Sequence, residues 1–248
     1  MTRWLCLCAI LSSAALLGAC GPATAKYVLD DTALAPVPMA DKQAIFAAQN
    51  EISQAKAEQQ QQQAALDSVD HELDLVKLER DQANNAVKSA KIEIEMADKL
   101  KDTARMSSAA EHKRLADLGY DAADAKVTMY EKKRKWAKEN VEVAEKKVKA
   151  ALAKVEAEKA RLAASKGIMP TKDFNPNMYI DEYTKRQKDV ESEQRDADEA
   201  KAKYDEKTAT WNQLSTQFQS ATNAQQPQRA PAYAPGAPSV PVAPPPHP

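Results

Sequence analysis

The sequence predicts an all-α protein, a long antiparallel coiled-coil bundle of three helices ending in a disordered Pro-rich tail. Three observations predict it. The 248 residues are 29% charged and 5% aromatic and include five glycines, the bias of long helices rather than of a thick-cored globule. Between residues 41 and 222, apolar side chains recur with a heptad period. Nine of the fourteen prolines fall in residues 223–248, a composition that favours polyproline II and cannot build a core.

The first element is an export signal, residues 1–19. Arg3 supplies a positive start, and Trp4 to Leu17 is an apolar run of 14 residues. That run falls short of the ~20 residues a spanning helix needs and suits a signal-peptide core. It ends in Leu17-Gly18-Ala19-Cys20, which resembles the lipobox of bacterial lipoproteins. The resemblance implies cleavage before Cys20, diacylglycerol on its thiol and an acyl chain on its amine. The chain would then be held at a membrane by lipid. Cys6 and Cys8 lie in the removed segment, so the mature chain keeps a single thiol, which acylation accounts for. Each buried CH₂ contributes about 0.8 kcal/mol, so several acyl chains hold where one does not. Gly21 follows the cysteine. In enteric lipoproteins an Asp there resembles the signal for inner-membrane retention, so the resemblance implies the outer membrane, with the body on its periplasmic face.

Residues 20–40 lack periodicity and carry Pro22, Pro36 and Pro38; they are expected to be a flexible lipidated tether. The body, 41–222, contains two glycines and two prolines: Gly119, Gly167, Pro170 and Pro176. Read as breaks, they divide it into helices at about 41–118, 121–166 and 176–222. Asn175-Pro176 suits an N-cap followed by proline at the first helical position. In the first segment, columns stepping by seven from Ile45 and from Ala48 are apolar at 16 of 22 positions through Leu118. The second has Val127, Val141, Val148, Val155 and Leu162 beside Tyr130, Ala137, Ala144 and Ala151. The third has Tyr183, Val190, Ala197, Tyr204, Trp211 and Phe218. A column of alanine beside one of larger residues suits close antiparallel pairs.

Charge agrees. Residues 66–118 balance at −3, 126–161 at +6 and 178–207 at −3. A basic middle helix between two acidic ones favours reversal at both Gly119 and Gly167, which would set Val87 beside Val148. The alternative is a continuous rod over 41–166 with the third helix folded back on it.

Candidate chemistry is sparse. Asp67, Asp70, Glu72 and Asp74 around His71 read as a solvated helix face, and His112 has no ligand spacing to His71. Lys132, Lys133, Arg134 and Lys135 beside Trp136 could meet a phosphate-rich surface, but acidic neighbouring helices explain them better. Met169, Phe174 and Tyr179 near the second turn could cap the bundle end or form an exposed contact patch, with capping the expectation. No nucleophile elbow, phosphate loop or dinucleotide fingerprint occurs, so no catalytic residue, cofactor or metal site is expected. A formal charge of −1 gives no reason to expect nucleic acid. The expected partners are the membrane, through Cys20, and an envelope protein.

Lipobox, short tether and heptad helix together resemble the plan of the murein lipoproteins of outer membranes. The chain departs from them at its end: Pro245-Pro246-His247-Pro248 stands where that family has a lysine joined to peptidoglycan. Two functions are open on this reading. One is a lipid-anchored scaffold of the cell envelope; the other is a periplasmic lipoprotein that holds a lipid or a client protein, chaperone-like.

Overall fold

A computed structural model describes residues 27–225. The export signal, Cys20 and all but the first three residues of the expected tail lie outside them. Two short 3-10 turns, Asp31–Leu34 and Met39–Lys42, precede three helices: α1 (Gln43–Leu100), α2 (Thr103–Ser165) and α3 (Pro176–Gln225). The protein is all-α, with no strand among the described residues. None of these helices is long and apolar enough to cross a membrane.

The first reversal is not at Gly119. It is at Lys101-Asp102, and Gly119 lies inside α2. Both turns use the same cap. At the end of α2, Gly167 has φ +66°, its N–H donates to the Ala164 carbonyl at 3.1 Å, and the Ile168 N–H donates to Ala163 at 2.9 Å. At the end of α1, Lys101 has φ +52°, its N–H donates to Asp98 at 3.0 Å, and the Asp102 N–H donates to Ala97 at 3.2 Å. This is the two-bond left-handed cap that glycine favours, built here once with lysine. Asp102 then caps α2: its Oδ1 accepts from the N–H groups of Ala104 and Arg105, each at 3.1 Å. Asn175 does the same for α3, accepting from the Asn177 N–H at 3.0 Å.

A left-handed lysine is strained where glycine is not. Lys101→Gly should therefore stabilise the protein by ~0.5–1 kcal/mol, the Cβ penalty less glycine's greater unfolded entropy. A raised urea midpoint at unchanged slope is the expected result. A fall in midpoint would contradict the left-handed conformation.

Gly119 has a different role. A Cβ built there would lie 3.1 Å from Phe218 Cε2, so the missing side chain makes room for an α3 ring. Its glycine reports close packing, not a turn.

The chain forms two units. Among the described residues, unit 1 comprises 27–77 together with Val127–Thr208. Within it α1 and α2 pair so that one residue number falls as the other rises: Glu51–Lys154, Glu58–Lys147 and Glu72–Lys133 each add to 205. The acidic-against-basic pairing follows the charge balance of the segments. Exposed pairs contribute ~0–1 kcal/mol each, so they select register more than they stabilise. The core is small: Ala55 with Val148 and Ala151 in one cluster, Leu73 and Val76 with Val127 in another. Val148 thus packs with Ala55, and Val87 belongs to unit 2; the expected Val87–Val148 neighbourhood is corrected with the turn. On α3, Ala197 and Ala200 are buried, and Tyr183, Val190 and Tyr204 are half-buried.

Unit 2 comprises Leu78–Lys126 and residues 209–225. Its α1–α2 pairs keep the same register: Glu79–Lys126 and Glu93–His112 also add to 205. Alanines dominate what is buried: Ala90, Ala97, Ala109 and Ala122. The last turn of α3 extends to Gln225, whose amide donates to Glu111 at 2.9 Å. Residues 223–225 are therefore helical, not the start of a tail.

Candidate functional site

The feature with the most chemistry is at the N-terminal side of unit 1. Residues 27–40 are not a loose tether. They form a strap whose Leu29, Leu34 and Val37 are buried, clustered with Ile45 and Ala48 of α1 and with Val155, Ala160 and Ala163 of α2. Ile168, Phe174 and Tyr179 pack against that cluster. The strap is not a regular helix or strand, so its buried residues show no period along the sequence. Asp30 starts its first turn, accepting from the Thr32 N–H at 2.9 Å. That backbone bond, with the Thr32 side chain, holds the Asp30 carboxyl below its usual range.

A buried ion pair clamps the strap. Glu156 Oε2 accepts the Leu29 N–H at 2.6 Å, and Glu156 Oε1 accepts from Lys159 Nζ at 2.9 Å. Lys159 also pairs with Asp31 at 2.7 Å and reaches the Leu29 carbonyl at 3.5 Å. Both backbone polar groups of Leu29 are thus met by one acid and one base, a turn apart on α2. Burial disfavours the charged lysine, but the hydrogen bonds and charges of Asp31 and Glu156 outweigh it and raise its pKa above the usual value. Sequence reading missed this pair because Glu156 and Lys159 look like any i, i+3 surface pair.

Next to the clamp, the strap and the α2–α3 loop border an open cavity of about 410 Å³, lined by Val28, Leu29, Ile168, Met169 and Tyr179 among others. Tyr27 and Tyr179 rings meet at 5.8 Å between centroids, and Phe174 and Tyr179 at 6.0 Å. Phe174 and Tyr179 cap the cluster as expected. Met169 does not: it is exposed.

The other candidates resolve as follows. His71 is exposed. Nearby, Asp70 pairs with Arg134 at 2.5 Å and Glu72 with Lys133 at 2.5 Å, while Asp67 accepts from Gln63 and Asp74 pairs with Lys77. Lys133 and Arg134 of the basic run are thereby answered by α1. Burial opposes the charge on Lys133, yet the Glu72 bond and charge raise its pKa. Trp136 stacks on Tyr204 at 5.7 Å with an interplanar angle of 12°, so it is spent on helix packing. His112 Nδ1 lies 3.1 Å from Glu93, not near His71.

One cluster was illegible in the sequence. Carboxylate oxygens of Glu139, Glu142 and Glu193 lie within 4.8 Å of one another. Burial, then the charge of Glu142, raises the Glu193 pKa, and Lys146 stands 3.7 Å from Glu193. Lys146 offsets part of the crowding of these three acids. Two helices supply them, so no spacing along the chain could show them.

Unit 2 carries exposed apolar residues around its turn: Ile92, Met96, Leu100 and Met106. Met96 and Leu100 flank a cavity of about 260 Å³ with Ala97, Ala109 and His112. No family model matches the chain, and neither a curated protein nor a solved structure matches it.

Proposed function

We propose that this protein is a lipid-anchored scaffold of the bacterial cell envelope. Its three helices work as a long antiparallel coiled coil, and acylated Cys20 holds it at the outer membrane with the body in the periplasm. The observation that carries the reading is Leu17-Gly18-Ala19-Cys20 after an apolar run, with the only thiol of the mature chain at the acylation position. The clamped strap supports it. A scaffold must transmit position from anchor to body, and a strap held by Leu29, Glu156 and Lys159 does so where a loose linker would not. The helices supply the second half of the argument: heptad seams, matched charge and no catalytic constellation among the candidates read from the sequence.

Cys20→Ala is expected to abolish metabolic palmitate labelling and leave an unprocessed precursor; labelling that persists in the variant would sink the anchoring. For the scaffold itself, a photo-crosslinking residue at exposed Met96 should trap one protein of fixed size from cells. Recovery of lipid in place of protein would instead favour the chaperone-like alternative.

A further inference from the structure

We propose that the strap end of unit 1 is a membrane-seating surface, on which Val28 and Met169 enter the interfacial layer of the bilayer. The proposal rests on the acylated Cys20 of the preceding reading. Seven peptide steps separate Cys20 from Tyr27, a chain that spans at most ~25 Å, so this end lies within reach of the headgroups wherever the lipid is inserted. What stands there is apolar. Val28 is 66% exposed and Met169 67% exposed, and both border the same cavity. They come from two different segments, the strap and the α2–α3 loop, so no single amphipathic helix explains their exposure. Tyr27, Phe174 and Tyr179 lie beside them with ring centroids 5.8 and 6.0 Å apart. Tyrosine, with an apolar ring and a polar tip, suits the boundary between acyl chain and water.

The charges specify how the surface binds. Lys166, an exposed residue of this end, is already paired with Asp41 at 2.7 Å, and Lys159 is engaged by Asp31 and Glu156. Residues 27–42 and 166–175 carry four acids, Asp30, Asp31, Asp41 and Asp173, against three lysines, Lys42, Lys166 and Lys172, so no basic excess in these segments draws this end to anionic lipid. Seating is therefore driven by apolar burial and is insensitive to anionic lipid content. The clamp gives it geometry, because a strap pinned to α2 keeps Val28 beside Met169.

The test uses the full lipidated chain. Met169→Cys supplies the only free thiol, since Cys20 is acylated and Cys6 and Cys8 leave with the signal. An environment-sensitive NBD probe is attached there, and at Leu75→Cys as the control, an exposed residue of α1 in the same unit. Each protein is reconstituted into phosphatidylethanolamine–phosphatidylglycerol vesicles with nitroxide-labelled lipid. Probe emission at 169 should rise several-fold and be quenched at least twofold, equally at low and high phosphatidylglycerol; at 75 it should do neither. Vesicle-bound, palmitate-labelled protein with an unquenched 169 probe would overturn the seating and leave the anchor standing. Protein that neither floats with vesicles nor takes up palmitate would overturn both.

Discussion

Glu156→Ala is expected to lower the unfolding free energy by ~3 kcal/mol, the cost of stranding a buried charge, and to release the strap. The Glu156 and Lys159 side chains are 11% and 9% exposed. Removing the carboxylate takes the partner from the Leu29 N–H and leaves Lys159 with Asp31, which is largely in solvent. The remaining Asp31 contact places the loss at the lower end for such pairs. Chemical denaturation reads the stability, and limited proteolysis between residues 27 and 40 reads the strap. Glu156→Leu with Lys159→Met should recover much of the stability, because no charge is then stranded, while the strap stays protease-sensitive. Wild-type resistance in Glu156→Ala would show that the strap is held by its apolar residues alone. The pH dependence has a definite sign. Lys159 has a raised folded pKa, so its contribution is complete below the ordinary lysine value and is lost only as pH rises through the raised one. The clamp should hold through neutral pH and open in strong alkali.

Ala197→Asp is expected to cost more than ~3 kcal/mol, because it buries an unpaired charge. Ala197 on α3 has no exposed surface, and an aspartate there has no room to turn toward water. Ala202 on the same helix is exposed; Ala202→Asp should cost less than ~1 kcal/mol, mostly helix propensity. Thermal unfolding followed by circular dichroism at 222 nm compares them. Equal midpoints would mean that the Tyr183–Phe218 column does not face the seam.

Much of the helical seam was legible in the sequence. From Ile45 to Ala97 each residue of the two α1 columns is buried or half-buried, and the α3 column from Tyr183 to Phe218 contains no exposed residue. Burial along one face repeats every three or four residues, so local spacing carries it. The same columns then misled. They continue in step past residue 100, through Lys101, Ala104 and Ser108, all of which are exposed. The column is unbroken in number while the chain has turned. Asp102, a capping residue with its carboxylate on two backbone N–H groups, is the local sign of the turn.

Composition, periodicity and charge determined that this chain is helical, which faces are apolar, and that the acidic first segment meets the basic second. Only the tertiary structure decided where the chain reverses. A left-handed lysine costs ~1–2 kcal/mol locally, and no local rule would place it in a turn. Pairing in one register from Glu51–Lys154 to Glu93–His112 brings many side chains together for that one strained residue. Such a sum over pairs distant along the chain cannot be read at any single position. The strap follows the same logic: Leu29, Glu156 and Lys159 acquire their roles only when residues 127 and 130 positions apart in the chain are folded against each other.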